Sequence, residues 1–292
     1  MFYDRSAGEV TSEPVFASGF LTWSYNTTLG FWLTKLVLRQ KCVSKLYGWF
    51  YKSRWSRKKI QHFVKKMNVN MKESLIPRGG YSSFNDFFVR RIDMSYRPFD
   101  KKASSCIAPC DGRVLAYPVI EANRTFRIKQ AAFNLAGFLR DDDLAGRFAG
   151  GSMLISRIYL TDYHHFHFPD SGVPQEAVSI PGKYYAVSPY SFRRLIPFYM
   201  ENHRMLTVFD SDHFGRIAII EVGAFTVGSI RQRFTPGMRV DKGAEKGFFE
   251  LGGSTVVLLF QPHAIQLDAD LCQNTKHGIE TYVRLGDSIG KL

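Results

Sequence analysis

From Phe16 to about Lys66 the apolar positions recur at helical spacing. On a wheel of about 100° per residue, Leu29, Trp32, Leu33, Leu36, Val43, Tyr47 and Phe50 share one face. Lys41, Lys45 and Lys52 fall opposite, and Lys35 and Arg39 flank the stripe. Trp55–Met67 continues the pattern as a second helix, while residues 1–15 read as a polar leader without fixed structure. Pro77-Arg78-Gly79-Gly80 breaks the chain, and the stretch from Ser82 to Arg91 holds a short helix capped by Ser83, with Asp86 at its third position. After Ile107 the segments become short, β-branched and aromatic, with turn residues about every eight to twelve positions. This predicts strands near 113–118, 125–128, 152–158, 176–180, 205–209, 216–222, 224–230 and 255–260, with a loop and one or two helical turns over 131–147. The fold class expected is α+β: N-terminal amphipathic helices over residues 1–76, then a mainly antiparallel β-rich domain over 77–292.

Charge sharpens the first region. Twelve Lys/Arg and no Asp or Glu lie between Pro14 and Lys72, so nearly all of the net +13 sits there, together with all four tryptophans (Trp23, Trp32, Trp49, Trp55). A basic stretch with aromatics suits nucleic acid or an anionic membrane surface, and Trp, whose amphipathic ring settles at the headgroup level, favours the membrane. The apolar runs are broken by Lys35, Arg39 and Lys41, too soon for the roughly 20 apolar residues of a spanning helix, so a helix lying in the interface fits better. An apolar stripe packed on the protein's own core is the plainer alternative. Residues 1–14 carry acids and no apolar core, unlike a signal peptide, and the four cysteines show no CxxC pair and are read as reduced thiols in a cytoplasm-facing protein.

Candidate chemistry gathers at three places. Leu251-Gly252-Gly253-Ser254-Thr255 runs into the apolar strand Val256–Phe260. Gly253 leaves its carbonyl open to close approach, and the hydroxyl of Ser254 follows at once, the arrangement an N-to-O acyl shift needs. Taken alone, a glycine turn with capping hydroxyls explains it as well. Asp111 lies in a Pro/Gly turn at the mouth of a strand. The stretch Asp162-Tyr163-His164-His165-Phe166-His167 packs three of eight histidines into four positions, without the i,i+4 spacing or the Cys/Glu partner a metal site would show, so no metal is expected. Asp111, His167 and Ser254 form a candidate charge-relay set in which Asp111 orients His167 and His167 takes the Ser254 proton. A regular strand puts His164 and His167 on opposite faces, so a shared site requires a kink before Pro169. Gly243-Ala244-Glu245-Lys246-Gly247 reads as a hairpin turn setting the register of the strand after Ser254.

The chain resembles the phosphatidylserine decarboxylases, pyruvoyl-dependent membrane enzymes, over roughly residues 78–292. The resemblance rests on Phe84-Asn85-Asp86-Phe87-Phe88-Val89-Arg90, Pro109-x-Asp111-Gly112, Asp162-Tyr163-His164-x-x-His167-x-Pro169, Val222-Gly223-Ala224 with Val227-Gly228-Ser229-Ile230, Lys242-Gly243-x-Glu245-x-Gly247 and Gly253-Ser254-Thr255. It departs at Gly252, where the family commonly has Leu. The resemblance implies a self-processing enzyme using Asp111, His167 and Ser254, cut between Gly253 and Ser254 into a long β chain (1–253) and a short α chain (254–292). Ser254 would become a covalent pyruvoyl cofactor that forms a Schiff base with phosphatidylserine and yields phosphatidylethanolamine and CO2 in phospholipid biosynthesis. His164 would return the proton, its unperturbed pKa suiting an acid near neutral pH, and Asp162 would orient that region. The implied partners are phosphatidylserine in an anionic membrane and the chain's own second fragment, with further dimerisation open and no nucleic acid. The implied location is peripheral, on the cytoplasmic face of the cell membrane.

Two rival readings differ in class. A serine esterase would use the same triad without self-cleavage, but the G-x-S-x-G elbow is missing and Ser254 precedes a strand rather than a helix. A non-enzymatic membrane or nucleic-acid adaptor gives no reason for Asp111, the histidine cluster and Gly253-Ser254 together. The charge pattern itself carries a test. Each basic residue near an anionic surface is worth about 1 kcal/mol, fading within a Debye length. Binding to anionic vesicles should weaken with added salt, and tryptophan emission should shift blue on binding. Salt-independent binding, or no shift, would place the membrane contact elsewhere.

Overall fold

In the computed structural model, residues 1–13, 27, 41–120, 126–128, 131–182, 202–223, 230–251 and 255–292 are described. The chain opens with strands β1 (Phe2–Asp4) and β2 (Glu9–Thr11). Helices α1 (Lys41–Lys52) and α2 (Lys59–Met67) follow, joined by a 3-10 turn at Arg54–Lys58, and then the short α3 (Phe84–Phe88). The remainder runs β3 (Ser105–Ile107), β4 (Gly112–Tyr117), β5 (Phe126–Ile128), β6 (Ala131–Phe133), α4 (Leu135–Leu139), α5 (Asp142–Phe148), β7 (Ser152–Arg157), β8 (His165–His167), β9 (Gly172–Pro174) and β10 (Val178–Ile180). After these come β11 (Arg204–Ser211), β12 (Arg216–Val222), β13 (Ile230–Gln232), β14 (Glu245–Phe249), β15 (Thr255–Phe260), β16 (Gln266–Leu267), α6 (Ala269–Lys276), β17 (Glu280–Val283) and β18 (Ser288–Lys291).

Among the described residues the main sheet has ten strands in the order β10-β11-β12-β15-β7-β4-β17-β1-β2, with β9 added on β11. Every pairing in it is antiparallel except β1 with β17. This is the α+β, mainly antiparallel architecture that the pattern predicts. β15 lies at the centre, between β12 and β7, with Thr255 opposite Val222 on one side and Arg157 on the other. Its unbroken apolar run has a direct cause: both faces are buried. Val256, Leu258 and Phe260 enter a core with Phe166, Phe249 and Leu271, while Val257 and Leu259 enter a second core with Phe138, Leu139 and Phe148 of the α4–α5 pair. A smaller sheet, β13-β14-β8, carries the histidine stretch. It is tied to the main sheet by the fully buried Lys246, whose ammonium lies 2.8 Å from the equally buried Glu221 carboxylate and 2.9 Å from the half-buried Gln232.

A third cluster packs the N-terminal helices onto the rest. Ile60, Phe63 and Met67 of α2 and Phe84, Phe87 and Phe88 of α3 meet Tyr159 and Leu251. α3 forms as its sequence dictates: the Ser83 hydroxyl accepts from the Asp86 N–H at 3.1 Å, and the Asp86 carboxylate takes the Ser82 N–H at 2.8 Å. On α1, Leu46 and Trp49 face solvent, as does Trp55 of the 3-10 turn, which is 79% exposed. Among the described residues no helix is long and apolar enough to cross a membrane. The predicted helix from Phe16 to Gln40, with Leu29, Trp32, Leu33 and Leu36, lies outside the described residues, as does most of the strand expected at 224–230.

Two expectations need correction. The polar leader is ordered: β1 joins the main sheet, and Glu13 buries its carboxylate against Arg157 at 2.8 Å and Arg113 at 2.9 Å. Two buried arginines draw this acid from the leader onto the β-rich body. The stretch Gly243–Gly247 is not a hairpin turn onto the strand after Ser254. Glu245–Phe249 is itself a strand, paired with β13 and β8, and only the Gly243 end turns.

Candidate active site

Residues 249–251 are held from the side of the helices and the histidine strand. The Phe249 N–H donates to the His164 carbonyl at 2.9 Å, the Glu250 carboxylate receives Lys52 of α1 at 2.8 Å, and the Leu251 N–H donates to the Asn85 side chain of α3 at 3.0 Å. The Leu251 side chain is buried in the α2–α3 aromatic cluster. On the other side Thr255 starts β15 in fixed register. Gly252, Gly253 and Ser254 lie outside the described residues.

Asp111 sits one residue before β4. In sheet register Arg113 is opposite Arg157, and Arg157 is opposite Thr255. Neighbouring strands lie about 4.8 Å apart, so the chain entering β4 and the chain entering β15 share one end of the sheet about 10 Å apart. Asp111 is buried, and its carboxylate accepts two bonds from Arg97, at 2.9 and 2.7 Å, and one from the Leu285 N–H at 2.8 Å. Arg97 also pairs with Glu73 at 2.8 Å.

His167 ends β8, beside the Asp111 turn: its backbone N–H donates to the Pro109 carbonyl at 2.7 Å. Its ring is held by a different group from the one expected. Nδ1 meets the Gly243 carbonyl at 2.8 Å, and the Asp111 carboxylate is engaged by Arg97 and Leu285 instead. A carbonyl oxygen can only accept, so Nδ1 carries the proton and Nε2 of the neutral ring keeps a free lone pair. The Gly243 carbonyl points this way from a left-handed turn (φ 78°) packed so tightly on Phe99 that a Cβ would fall 2.9 Å from its ring. The Nε2 atom is buried without a hydrogen-bond partner among the described residues.

His164 shows the same arrangement on the other face. Its Nδ1 donates to the Asp162 carbonyl at 2.9 Å, its ring centre lies 3.7 Å from that of Phe88, and its Nε2 is buried and unpartnered among the described residues. Tyr163, His165 and His167 stack along one face of the strand, while His164 and Phe166 point to the other. His164 lies just outside β8, and the β8–β14 pairing shifts register between Glu245 and Gly247, the partners of His167 and Phe166, so the segment is not a regular strand. Asp162 acts on His164 through its backbone oxygen; its carboxylate is paired with Arg113 and takes the Tyr159 N–H at 2.7 Å. His165 is spoken for at both nitrogens, by Glu245 at 2.9 Å and by the Val89 carbonyl at 3.0 Å. Among the described residues no cluster of His, Cys, Asp or Glu is placed to hold a metal ion.

Burial lowers the pKa of His164 well below the ordinary histidine value, and the nearby Arg90 charge pushes the same way; burial also lowers that of His167, less far. The resemblance implies His164 as the acid, but the unperturbed pKa that would suit that role is not found: burial leaves the resting ring neutral, with its one proton committed to a carbonyl. Residues the sequence reading missed include Arg97, Arg113, Glu13, Glu73 and Lys52, which no motif marks. Asn85, Arg90 and Gly243 lay inside quoted motifs without an assigned task.

A family model described as phosphatidylserine decarboxylase matches residues 84–291. The chain is 40% identical over 291 residues to the phosphatidylserine decarboxylase proenzyme of Chlamydia trachomatis serovar L2, covering 100% of this chain and 97% of that protein. It is 38% identical over 289 residues to the proenzyme of the same name from Clostridium kluyveri, covering 99% and 98%. It is 39% identical over 289 residues to that of Desulfitobacterium hafniense, covering 99% and 97%.

The histidine environments predict a titration. Both folded pKa values lie below 6.5, the value the unfolded chain would show. The unfolded chain therefore binds more protons below about pH 6.5, and the folded protein loses stability as pH falls from there. Residue-resolved NMR of the uncleaved Ser254→Ala chain should give midpoints below 6.5 for both rings, with His164 lower. A midpoint at or above 6.5 for either ring contradicts the described burial.

Proposed function

Because the chain belongs to the phosphatidylserine decarboxylase family, which converts phosphatidylserine to phosphatidylethanolamine from a self-processing proenzyme, we propose that it does so with a pyruvoyl group made from its own Ser254. The observation that carries this reading is the anchoring of the chain on both sides of residues 252–254, with a buried imidazole lone pair on His167 near one end of the sheet.

In the first stage His167 Nε2 takes the Ser254 hydroxyl proton as the oxygen attacks the Gly253 carbonyl carbon. The Gly253–Ser254 C–N bond breaks, an ester forms, and the nitrogen gains a proton. A base then removes the Ser254 Cα proton as the Cβ–O bond breaks and the Gly253 carboxylate leaves, giving dehydroalanine at 254; its enamine takes a proton on Cβ to become an imine, and water replaces the nitrogen, released as ammonia. Asp111, held in place by two hydrogen bonds from Arg97, puts a carboxylate near the imidazolium that forms on His167. The unpartnered Nε2 atoms of His164 and His167, and the buried, unpartnered Oγ1 of Thr255, are polar atoms of the kind a carbonyl-bearing group would engage. The pyruvoyl group supplies a ketone that condenses with the substrate amine and draws off the electron pair left by CO2. His164 then delivers a proton to the substrate carbon, which requires that its ring be protonated first. Phe88 and buried neighbours exclude water from that side.

Residues 254–292 would stay in place after cleavage. β15 is paired on both edges, and β17 pairs with both β4 and β1. Each fully buried Val, Leu or Phe contributes ~1.5–3 kcal/mol, so Val256–Phe260 alone give on the order of 10 kcal/mol, an upper estimate. The product is thus a heterodimer of the chain's own fragments. The exposed Leu46, Trp49 and Trp55 lie among the basic residues of the first region and support peripheral attachment to an anionic membrane, which we place at the cytoplasmic face of the cell membrane.

The test separates the two histidines. Ser254→Ala and His167→Ala should remain full length, and Asp111→Ala should mature poorly or not at all. His164→Ala should be cut normally and lose about 10²–10⁴-fold in decarboxylation rate. Cleavage of Ser254→Ala at the same bond, or failure of His164→Ala to mature, would overturn this assignment.

A further inference from the structure

Arg90, two residues beyond α3, is a buried cation with no carboxylate partner among the described residues. It is 5% exposed. Its Nη2 donates to the Thr161 carbonyl at 2.6 Å and reaches the Asp162 carbonyl at 3.4 Å. Its Nε and Nη1 are buried with no partner, and no carboxylate pairs with it among the described residues. The acids around it are engaged: Asp86 by Ser82, Asp111 by Arg97, Asp162 by Arg113 and Glu73 by Arg97. The Phe87 ring lies beneath the guanidinium at 5.0 Å. Of the other buried arginines, Arg97, Arg113 and Arg157 pair with carboxylates, while Arg204 spreads its donors over the carbonyls of Phe138, Asn202 and Gly137. A guanidinium left this way costs free energy unless an anion arrives to accept its donors.

Its location says which anion. The Asp162 carbonyl takes both the Arg90 Nη2 and the His164 Nδ1, so guanidinium and imidazole flank a single oxygen. A headgroup that reaches His164 Nε2 therefore also comes within reach of Arg90. The substrate headgroup offers two anions, a carboxylate and a phosphodiester. The carboxylate loses its charge in the reaction, so a cation clamped on it would stabilise the ground state more than the transition state and slow the step. The phosphodiester keeps its charge throughout, and guanidinium suits phosphate oxygens.

We propose that Arg90 is the residue that binds the phosphodiester of the lipid headgroup, leaving the carboxylate against Phe88 and His164. This rests on the decarboxylase reading above and adds a binding residue to it. It also answers how His164 gains its proton. In the free protein its ring faces the Arg90 charge, the neighbouring His165 and the Asp162 carbonyl, and only the last favours protonation. A phosphodiester on Arg90 offsets the first of these and lets the ring take up a proton once substrate is in place.

The test uses the self-cleaved enzyme with two probes: glycerophosphoethanolamine, which has the phosphodiester and no carboxylate, and serine, which has the carboxylate and no phosphate. Arg90→Met should weaken glycerophosphoethanolamine about 10- to 100-fold, with serine changed little. Arg90→Lys should lose less, and KM for phosphatidylserine should rise more than kcat falls. In the unaltered enzyme glycerophosphoethanolamine must bind more tightly than serine, a comparison that holds even if a variant does not fold. Loss of serine binding alone would make Arg90 the carboxylate holder, and unchanged binding of both probes would make it structural; either result overturns the proposal. Failure of the unaltered chain to cleave would instead count against the decarboxylase reading itself.

Discussion

Three residues of this chain, 252–254, lie between anchors of different kinds, and the organisation of the site follows from that. Ahead of them Leu251 is sunk in an aromatic cluster and hydrogen-bonded to Asn85, with Glu250 paired to Lys52. Behind them Thr255 begins a strand whose faces and edges are all covered. Neither anchor can shift without exposing a core, because close-packed interiors do not deform continuously. The helices of the first region are thereby coupled to the bond proposed to break, through Lys52 and the α2–α3 cluster. That coupling gives an N-terminal region suited to a lipid surface a structural reason to be part of the same body as the chemistry.

Electrostatics inside that frame is arranged by backbone oxygens as much as by side chains. Gly243 and Asp162 each lend a carbonyl to a histidine Nδ1, which sets both tautomers and leaves two Nε2 lone pairs in a dry interior. Burial keeps both rings neutral at rest. For His167 that is the state a base needs. For His164 it is the wrong state for an acid, so the proposed role requires that the ring take up a proton once substrate is bound, which the proposed phosphodiester on Arg90 would favour by offsetting the guanidinium charge. The ion pair Arg97–Asp111 fixes a carboxylate near His167 without hydrogen-bonding it in this state.

Much of this was legible in the sequence where a local cause acts. Gly112–Tyr117, Ser152–Arg157, Arg216–Val222 and Thr255–Phe260 are strands because they are β-branched or apolar and buried, and α3 is a helix because Ser83 caps it. The three-residue segments Phe2–Asp4 and His165–His167 are too short to show a local pattern and are strands through their pairing, with β17 and β2 for the first and with β14 for the second. The role of Gly243 was hidden because a carbonyl belongs to every residue type. The depressed pKa of His164 was hidden because burial and the Arg90 charge are properties of the folded chain.

The most direct test of the account is the chemical identity of residue 254 in the purified protein, read by intact and fragment mass spectrometry. The account predicts a 39-residue C-terminal chain beginning at position 254 with a pyruvoyl group in place of serine, held non-covalently to residues 1–253 and released on denaturation. A single uncut chain of 292 residues, or a C-terminal fragment that begins with an unmodified serine amino group, would contradict it.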